Sequence, residues 1–493
     1  MNYLYNFQHK FFIILFIFIC LISISCFINN GNDNSSKTTL QDNNTNIDNN
    51  DDESNNSNMR QSISQHGITW TFDKPYRIGQ YVNGDFWVIG PVAITSIDPP
   101  SENNAGIITN GSMINPDPNS YENQGFDSRM NNLQYVHELN VARPYDIDLS
   151  TDNMLIIPTG SSLISSISGE EGTAANDSYI DIMAIVTIVS EVPVSNSFRP
   201  SYVGVDKSSL FNTGDIDYSL LPQLAKVSNM PTIEEVTAYF EKPWIDYISQ
   251  WTTGQLIPEM NGPIYGREYA KQTSIAALML SLDFTSQEKE PLLIRYIQLG
   301  IDLYGAFIGG ARWEASGGWM QGRKLPIVFA AAIFKDTGMQ NAIGSVVDDN
   351  FPFQEDGSTF YISESDVVLS HETWSSSTVS VIDYQSSDIG RPEWGTEHSH
   401  NPLFDNRNWE ASYRRNCGRS AVGTALAALI LGFKSIWNWN AFFDYHDVFM
   451  AMESDLTDHE WMTSSGGQGS LFVRRMWETY RSDYTDMYVW PER

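Results

Sequence analysis

The segment Tyr413-Arg414-Arg415-Asn416-Cys417-Gly418-Arg419 sets a phenol, three guanidiniums, a carboxamide and a thiol directly ahead of the apolar run 420–431. If that run is a buried helix, its unpaired backbone N–H groups and positive dipole end favour an anion at the entrance, and the arginines strengthen the preference. A carboxylate or sulfate on a sugar is the simplest such ligand. The competing reading pairs these arginines with the chain's own carboxylates at a domain seam.

Four more patches carry chemistry. Asn261-Gly262-Pro263-Ile264-Tyr265-Gly266-Arg267-Glu268-Tyr269 enters a helix with Tyr265 and Tyr269 one turn apart on one face. Gly317-Gly318-Trp319-Met320-Gln321-Gly322-Arg323-Lys324 is a glycine-rich, cationic approach to another helix. His371-Glu372-Thr373-Trp374 follows, and then Arg391-Pro392-Glu393-Trp394-Gly395-Thr396-Glu397-His398-Ser399-His400. Each has a structural alternative. Tyrosines on an amphipathic helix are more often core, Arg323-Lys324 could merely flank a helix, and Cys417 beside a buried helix is usually a small packing residue. His398 and His400 point the same way from an extended segment and could hold a metal with His371 or Asp405, but that spacing is weak, and no metal or cofactor is expected.

These patches need elements to hold them. Between residues 67 and 208, short β-branched and aromatic runs such as Ile68-Thr69-Trp70-Thr71-Phe72 and Phe86-Trp87-Val88-Ile89 alternate with Pro, Gly, Asn and Asp. This pattern predicts a β-rich, sandwich-like domain. From 231 to 485 the period becomes helical. Thr285-Ser286-Gln287-Glu288 reads as a capping box, with Leu293, Ile297, Ile301 and Tyr304 on one face behind it. Helices are expected at 232–239, 265–282, 291–307, 325–334, 419–433, 441–452 and 471–481, and short connections between them suit an α/α toroid or a solenoid. The interval 348–411 breaks the rhythm, with short strands expected near 379–384, and is placed over the toroid mouth. The fold class is thus α+β, a β-sandwich-like domain followed by an α/α toroid.

The chain of 493 residues carries 29 Lys+Arg against 60 Asp+Glu, a formal charge of −31, which disfavours nucleic-acid binding but not an anion in a local basic pocket. Residues 1–26 read as an export signal whose apolar run 11–22 is short for a membrane span. Ser23-Ile24-Ser25-Cys26 resembles a lipoprotein cleavage box, so membrane attachment through lipidated Cys26, at the cell surface or outer membrane, is expected beside plain secretion. Residues 27–60, rich in Asn, Asp and Ser, read as a flexible tether. Cys417 is the only cysteine after the leader, so the folded part has no intrachain disulfide.

Tyr, His, Arg, Asn and Trp are the side chains that elimination across a uronic acid requires. Trp319, Trp374 and Trp394 would stack on sugar rings. Arg323 or Arg414 would neutralise the carboxylate beside the departing proton, and tyrosine and histidine would move protons. On these residue types and the hairpin architecture, the chain resembles toroidal polysaccharide lyases of the alginate and glucuronan type. The resemblance implies Tyr413, Tyr265, His371, His398 and His400 as candidate acids and bases, and Arg323, Arg414, Asn416 and Arg267 on an anionic polysaccharide. Two other functions stay open: a glycoside hydrolase using two carboxylates from Glu314, Glu393, Glu397 and Glu410, and a non-catalytic glycan-binding surface lipoprotein.

Overall fold

The computed structural model describes residues 58–130, 132–144, 149–170, 178–262, 265–344, 351–371, 384–395, 417–463 and 469–490, without the side chains of 369–371. The leader and tether, Trp374, His398, His400, Tyr413, Arg414 and Asn416 lie outside the described residues, as does the side chain of His371.

The first part is an eight-stranded curled sheet. Its strands are β1 (Met59–Gln65), β2 (Ile68–Gln80), β3 (Phe86–Ile89), β4 (Val92–Asp98), β5 (Ser112–Ile114), β6 (Leu155–Ile157), β7 (Ser161–Ser168) and β8 (Ile180–Val189). Along the sheet the order is β6-β4-β2-β3-β8-β7-β5, with β1 on β2. The β3–β8 pair is parallel and its neighbours are antiparallel. β2 makes the curl: its first half pairs with β4 (Trp70 opposite Ile97) and its second half with β3 (Ile78 opposite Val88). Ile68, Trp70 and Phe72 alternate inward, as a strand covered on one face requires. β8, by contrast, is apolar almost throughout because both its faces are covered. Ala184, Val186 and Ile188 fill the curl, whereas Met183 and Ile185 join the core shared with the helices.

The helical part comprises α1 (Ile233–Ala238), α2 (Gly266–Leu280), α3 (Ser286–Ile308), α4 (Lys324–Ile333), α5 (Thr337–Ile343), α6 (Gln354–Gly357), α7 (Glu364–His371), α8 (Arg419–Ile430), α9 (Lys434–Trp437), α10 (Asn440–Met452), α11 (Asp458–Thr463) and α12 (Leu471–Tyr480). The seven expected helices all occur, with ends shifted by a few residues. At the start of α3, Thr285 Oγ1 accepts from the Glu288 N–H at 3.2 Å and the Glu288 carboxylate accepts from the Thr285 N–H at 2.7 Å, the reciprocal cap expected there. α3 packs on α4, and α2 packs on α8 and α12. Ala425, Leu426 and the rest of α8 are buried all round, as an inner helix must be.

The interval 348–411 contains α6, α7 and a two-stranded ladder, β9 (Thr359–Tyr361) antiparallel to β10 (Pro392–Trp394). The strand expected near 379–384 falls almost wholly outside the described residues. Buried ion pairs join segments far apart in the chain: Arg199 with Asp85 and Asp302 (both 2.5 Å), Arg323 with Asp246 (2.8 Å), Lys324 with Asp356 (2.5 Å), Arg419 with Glu453 (2.5 Å) and Arg481 with Asp447 (2.5 Å). No described helix is long and apolar enough to cross a membrane.

Candidate functional site

Three of the five sequence patches meet at the entrance to α2. Gly266 opens that helix so close to the 317–319 loop that a Cβ on it would lie 2.0 Å from the Trp319 carbonyl oxygen. A Cβ on Gly318 would meet the Tyr265 hydroxyl at 2.6 Å and the Cys417 Sγ at 3.1 Å. Glycine at both positions is therefore a packing requirement, and it brings a phenol, an indole and a thiol to one place. The Tyr265 ring meets Trp319 edge-on at 4.3 Å between centroids, and Trp251 lies beyond at 5.3 Å. The Arg267 guanidinium sits 5.0 Å from the Tyr265 centroid and pairs with Glu268 at 3.0 Å. Tyr265, Trp319, Trp251 and Arg267 are all half-buried. Together they form an aromatic surface with a cation at its edge.

The loop that presents Trp319 is held from beneath. Gln354 Nε2 donates to the Gly317 carbonyl (2.5 Å) and Gln354 Oε1 accepts from the Met320 N–H (2.8 Å). Glu355 Oε1 accepts from the Gly322 N–H (2.6 Å), while Gln321 Nε2 donates to the Cys417 carbonyl (3.0 Å). Glu355 is completely buried, its second oxygen has no hydrogen-bond partner among the described residues, and burial pushes its carboxyl up to about 7. At neutral pH it is thus poised between acid and carboxylate. Sequence reasoning missed both Glu355 and Trp251. The only signal for Glu355 is a run of three polar residues, Gln354-Glu355-Asp356, between Phe353 and Phe360.

Two expected substrate contacts are placed elsewhere. Arg323 is inside the protein: its Nε donates to Asp246, its Nη1 to the carbonyls of Trp319 and Gln321 (both 2.9 Å), and the guanidinium lies 4.2 Å from the Tyr269 centroid. Asp246 also accepts from Trp313 Nε1 (3.0 Å) and Thr253 Oγ1 (2.5 Å), so Arg323 is a buried strut for the Trp319 loop and does not present its charge in an open groove. Trp394 is 1% exposed and packs against Tyr445 and His446, so no sugar can stack on it in this conformation. Tyr269 is a core ring, the structural alternative for that position.

Cys417 is buried with Sγ 3.3 Å from the Gly317 carbonyl, and burial pushes its thiol up to about 12. It packs and does not attack. His446 lies between the carbonyls of Phe442 (2.6 Å) and Gly418 (3.2 Å) in an aromatic cage, and burial takes its imidazole down to about 4. Burial outweighs the two carbonyls and favours the neutral ring, whose single N–H can donate to only one of them. Among the described residues no three His, Cys, Asp or Glu side chains gather as a metal site. Comparison with protein-family models, with curated proteins and with solved structures found no match.

Proposed function

We propose that this chain is an exported or surface-anchored polysaccharide-degrading enzyme that cleaves a uronic-acid-containing glycan by β-elimination. The observation that carries the reading is the half-buried surface of Trp251, Trp319 and Tyr265 with Arg267 at its edge. Indole faces take sugar rings, a guanidinium matches a uronate carboxylate, and the ionised phenol of a tyrosine beside them can take the proton next to that carboxylate and return it to the departing glycosidic oxygen as the C–O bond breaks. The carboxylate must be neutralised for the proton to leave, so Arg267 replaces the buried Arg323 in that role. Tyr413, Arg414 and Asn416, which precede Cys417 in the chain, and His371, His398, His400 and Trp374 are the further candidates for acid, base and sugar contact. The helical pairs are read as part of an α/α toroid and the curled sheet as a β-sandwich-like partner. Membrane attachment through Cys26 belongs to the same proposal.

Glycoside hydrolysis is the second reading, with Glu314 exposed just ahead of the Trp319 loop as a candidate carboxylate; Glu355, wholly buried beneath that loop, does not reach a glycosidic bond. Products separate the two. Elimination leaves an unsaturated, ultraviolet-absorbing end, whereas hydrolysis leaves a saturated reducing end. Trp319→Ala is expected to weaken polymer binding, and Tyr265→Phe to abolish the absorbing product while binding persists. Saturated products from the wild type would decide for hydrolysis, and binding with no product of either kind would decide for a glycan-binding lipoprotein.

A further inference from the structure

Away from the α2 entrance, the turn 198–211 lies along the outer face of α3 and encloses a groove of about 600 Å³. The two walls are locked together: a Cβ on Gly305 would lie 2.1 Å from Ser201 Oγ. The lining is mainly apolar. Val205, Leu210 and Ile308 stand 76%, 75% and 63% exposed around it, and Tyr304 lies along it. Phe211 stacks on Phe334 at 4.2 Å and stiffens the wall. So much exposed aliphatic surface around one concavity of ligand size marks a binding site.

The charged side chains on its lining are two aspartates and one arginine. Asp206 and Asp336 both face the groove, each anchored through one oxygen on a backbone N–H, to Ser208 (2.9 Å) and Met339 (2.8 Å). Arg199, the one cation among the described lining residues, is already matched by two carboxylates, Asp85 and Asp302, and Lys207, next to Asp206, is buried with its ammonium on the Ser201 and Val203 carbonyls. Asp336 is close enough to Tyr304 to act on its phenol, so a cation against that carboxylate would also meet an aromatic ring. We propose that this groove binds a hydrophobic cation: an aliphatic or aromatic body along Val205, Leu210 and Ile308, with an ammonium held by Asp206 and Asp336 beside Tyr304.

The test uses the full chain and three probes of one shape, phenylbutylamine, phenylbutanol and phenylbutanoate, titrated by calorimetry and ligand-observed magnetic resonance. The amine should bind about tenfold more tightly than the carboxylate, with the alcohol between. Asp206→Asn with Asp336→Asn should bring the three together, because asparagine keeps the cap at α5 while removing the charge. Ile308→Ser, on an exposed edge where folding is not at stake, should weaken all three. Equal binding of the three by the wild type, binding of none, or amine binding that survives both variants would overturn the proposal.

Discussion

Glu355→Gln should leave stability unchanged at about pH 4.5 and raise it by about 3.5 kcal/mol at about pH 8. Glu355 is fully buried, one oxygen accepts the Gly322 N–H, and the other has no partner among the described residues. Burial moves its carboxyl from 4.5 to about 7. The folded state therefore holds this proton more tightly than the unfolded chain. Its stabilising contribution is complete below about 4.5 and is lost as the pH rises through about 7. Moving the carboxyl from 4.5 to about 7, at about 1.4 kcal/mol for each pH unit, gives about 3.5 kcal/mol. Glutamine copies the protonated form: its carbonyl can take the Gly322 N–H and its amide occupies the place of the hydroxyl. Urea unfolding followed by tryptophan fluorescence, at matched pH for both proteins, measures the difference directly. A difference that does not grow between those pH values would refute the assignment of a shifted, buried carboxyl.

Other perturbations have equally definite outcomes. Arg323→Met should cost about 3–5 kcal/mol in unfolding experiments because it leaves Asp246 buried and uncompensated, and Asp246→Leu added to it should recover part of that loss. Arg267→Ala should leave the melting temperature almost unchanged yet lower kcat/KM on a uronate polymer by about 100-fold, a loss of charge stabilisation seen by steady-state assay. His446, taken from 6.5 down to about 4, supports a fold that weakens as the pH falls through that window. His446→Gln should flatten this slope in the same urea experiment. Cys417→Ser should retain turnover, and the native thiol should resist iodoacetamide at about pH 8 while the urea-unfolded chain reacts.

The regular elements were legible in the sequence because local signals and packing agree. Thr285 and Glu288 announce the start of α3, and Leu293, Ile297 and Ile301 then bury one face, as their spacing requires. The strand period of Ile68, Trp70 and Phe72 is equally plain. Burial of charge is what the sequence concealed. Arg323-Lys324 looks like an exposed cationic approach, yet each cation meets a carboxylate far away in the chain, Asp246 or Asp356, and sinks into the core. Trp394, next to charged and polar residues in sequence, is drawn inward by β10, whose partner strand β9 had no pattern to announce it. The convergence of patches around Tyr265, Gly318 and Cys417 was legible only as an expectation, since it depends on two glycines permitting contact between chain segments about fifty to one hundred and fifty residues apart. Trp251 and Glu355 were invisible because neither belongs to a patch in the sequence, only to one in space.

The proposed elimination depends on Tyr265 and its aromatic, cationic neighbours acting on a uronate polymer. Incubating the full chain with alginate, glucuronan, heparin-type and pectic polymers, and following ultraviolet absorbance of unsaturated ends, addresses that directly. At least one polymer should yield a steady rise, and Tyr265→Phe should abolish it while the folded signal is kept. A flat trace with every polymer, or an undiminished rise in Tyr265→Phe, would contradict it.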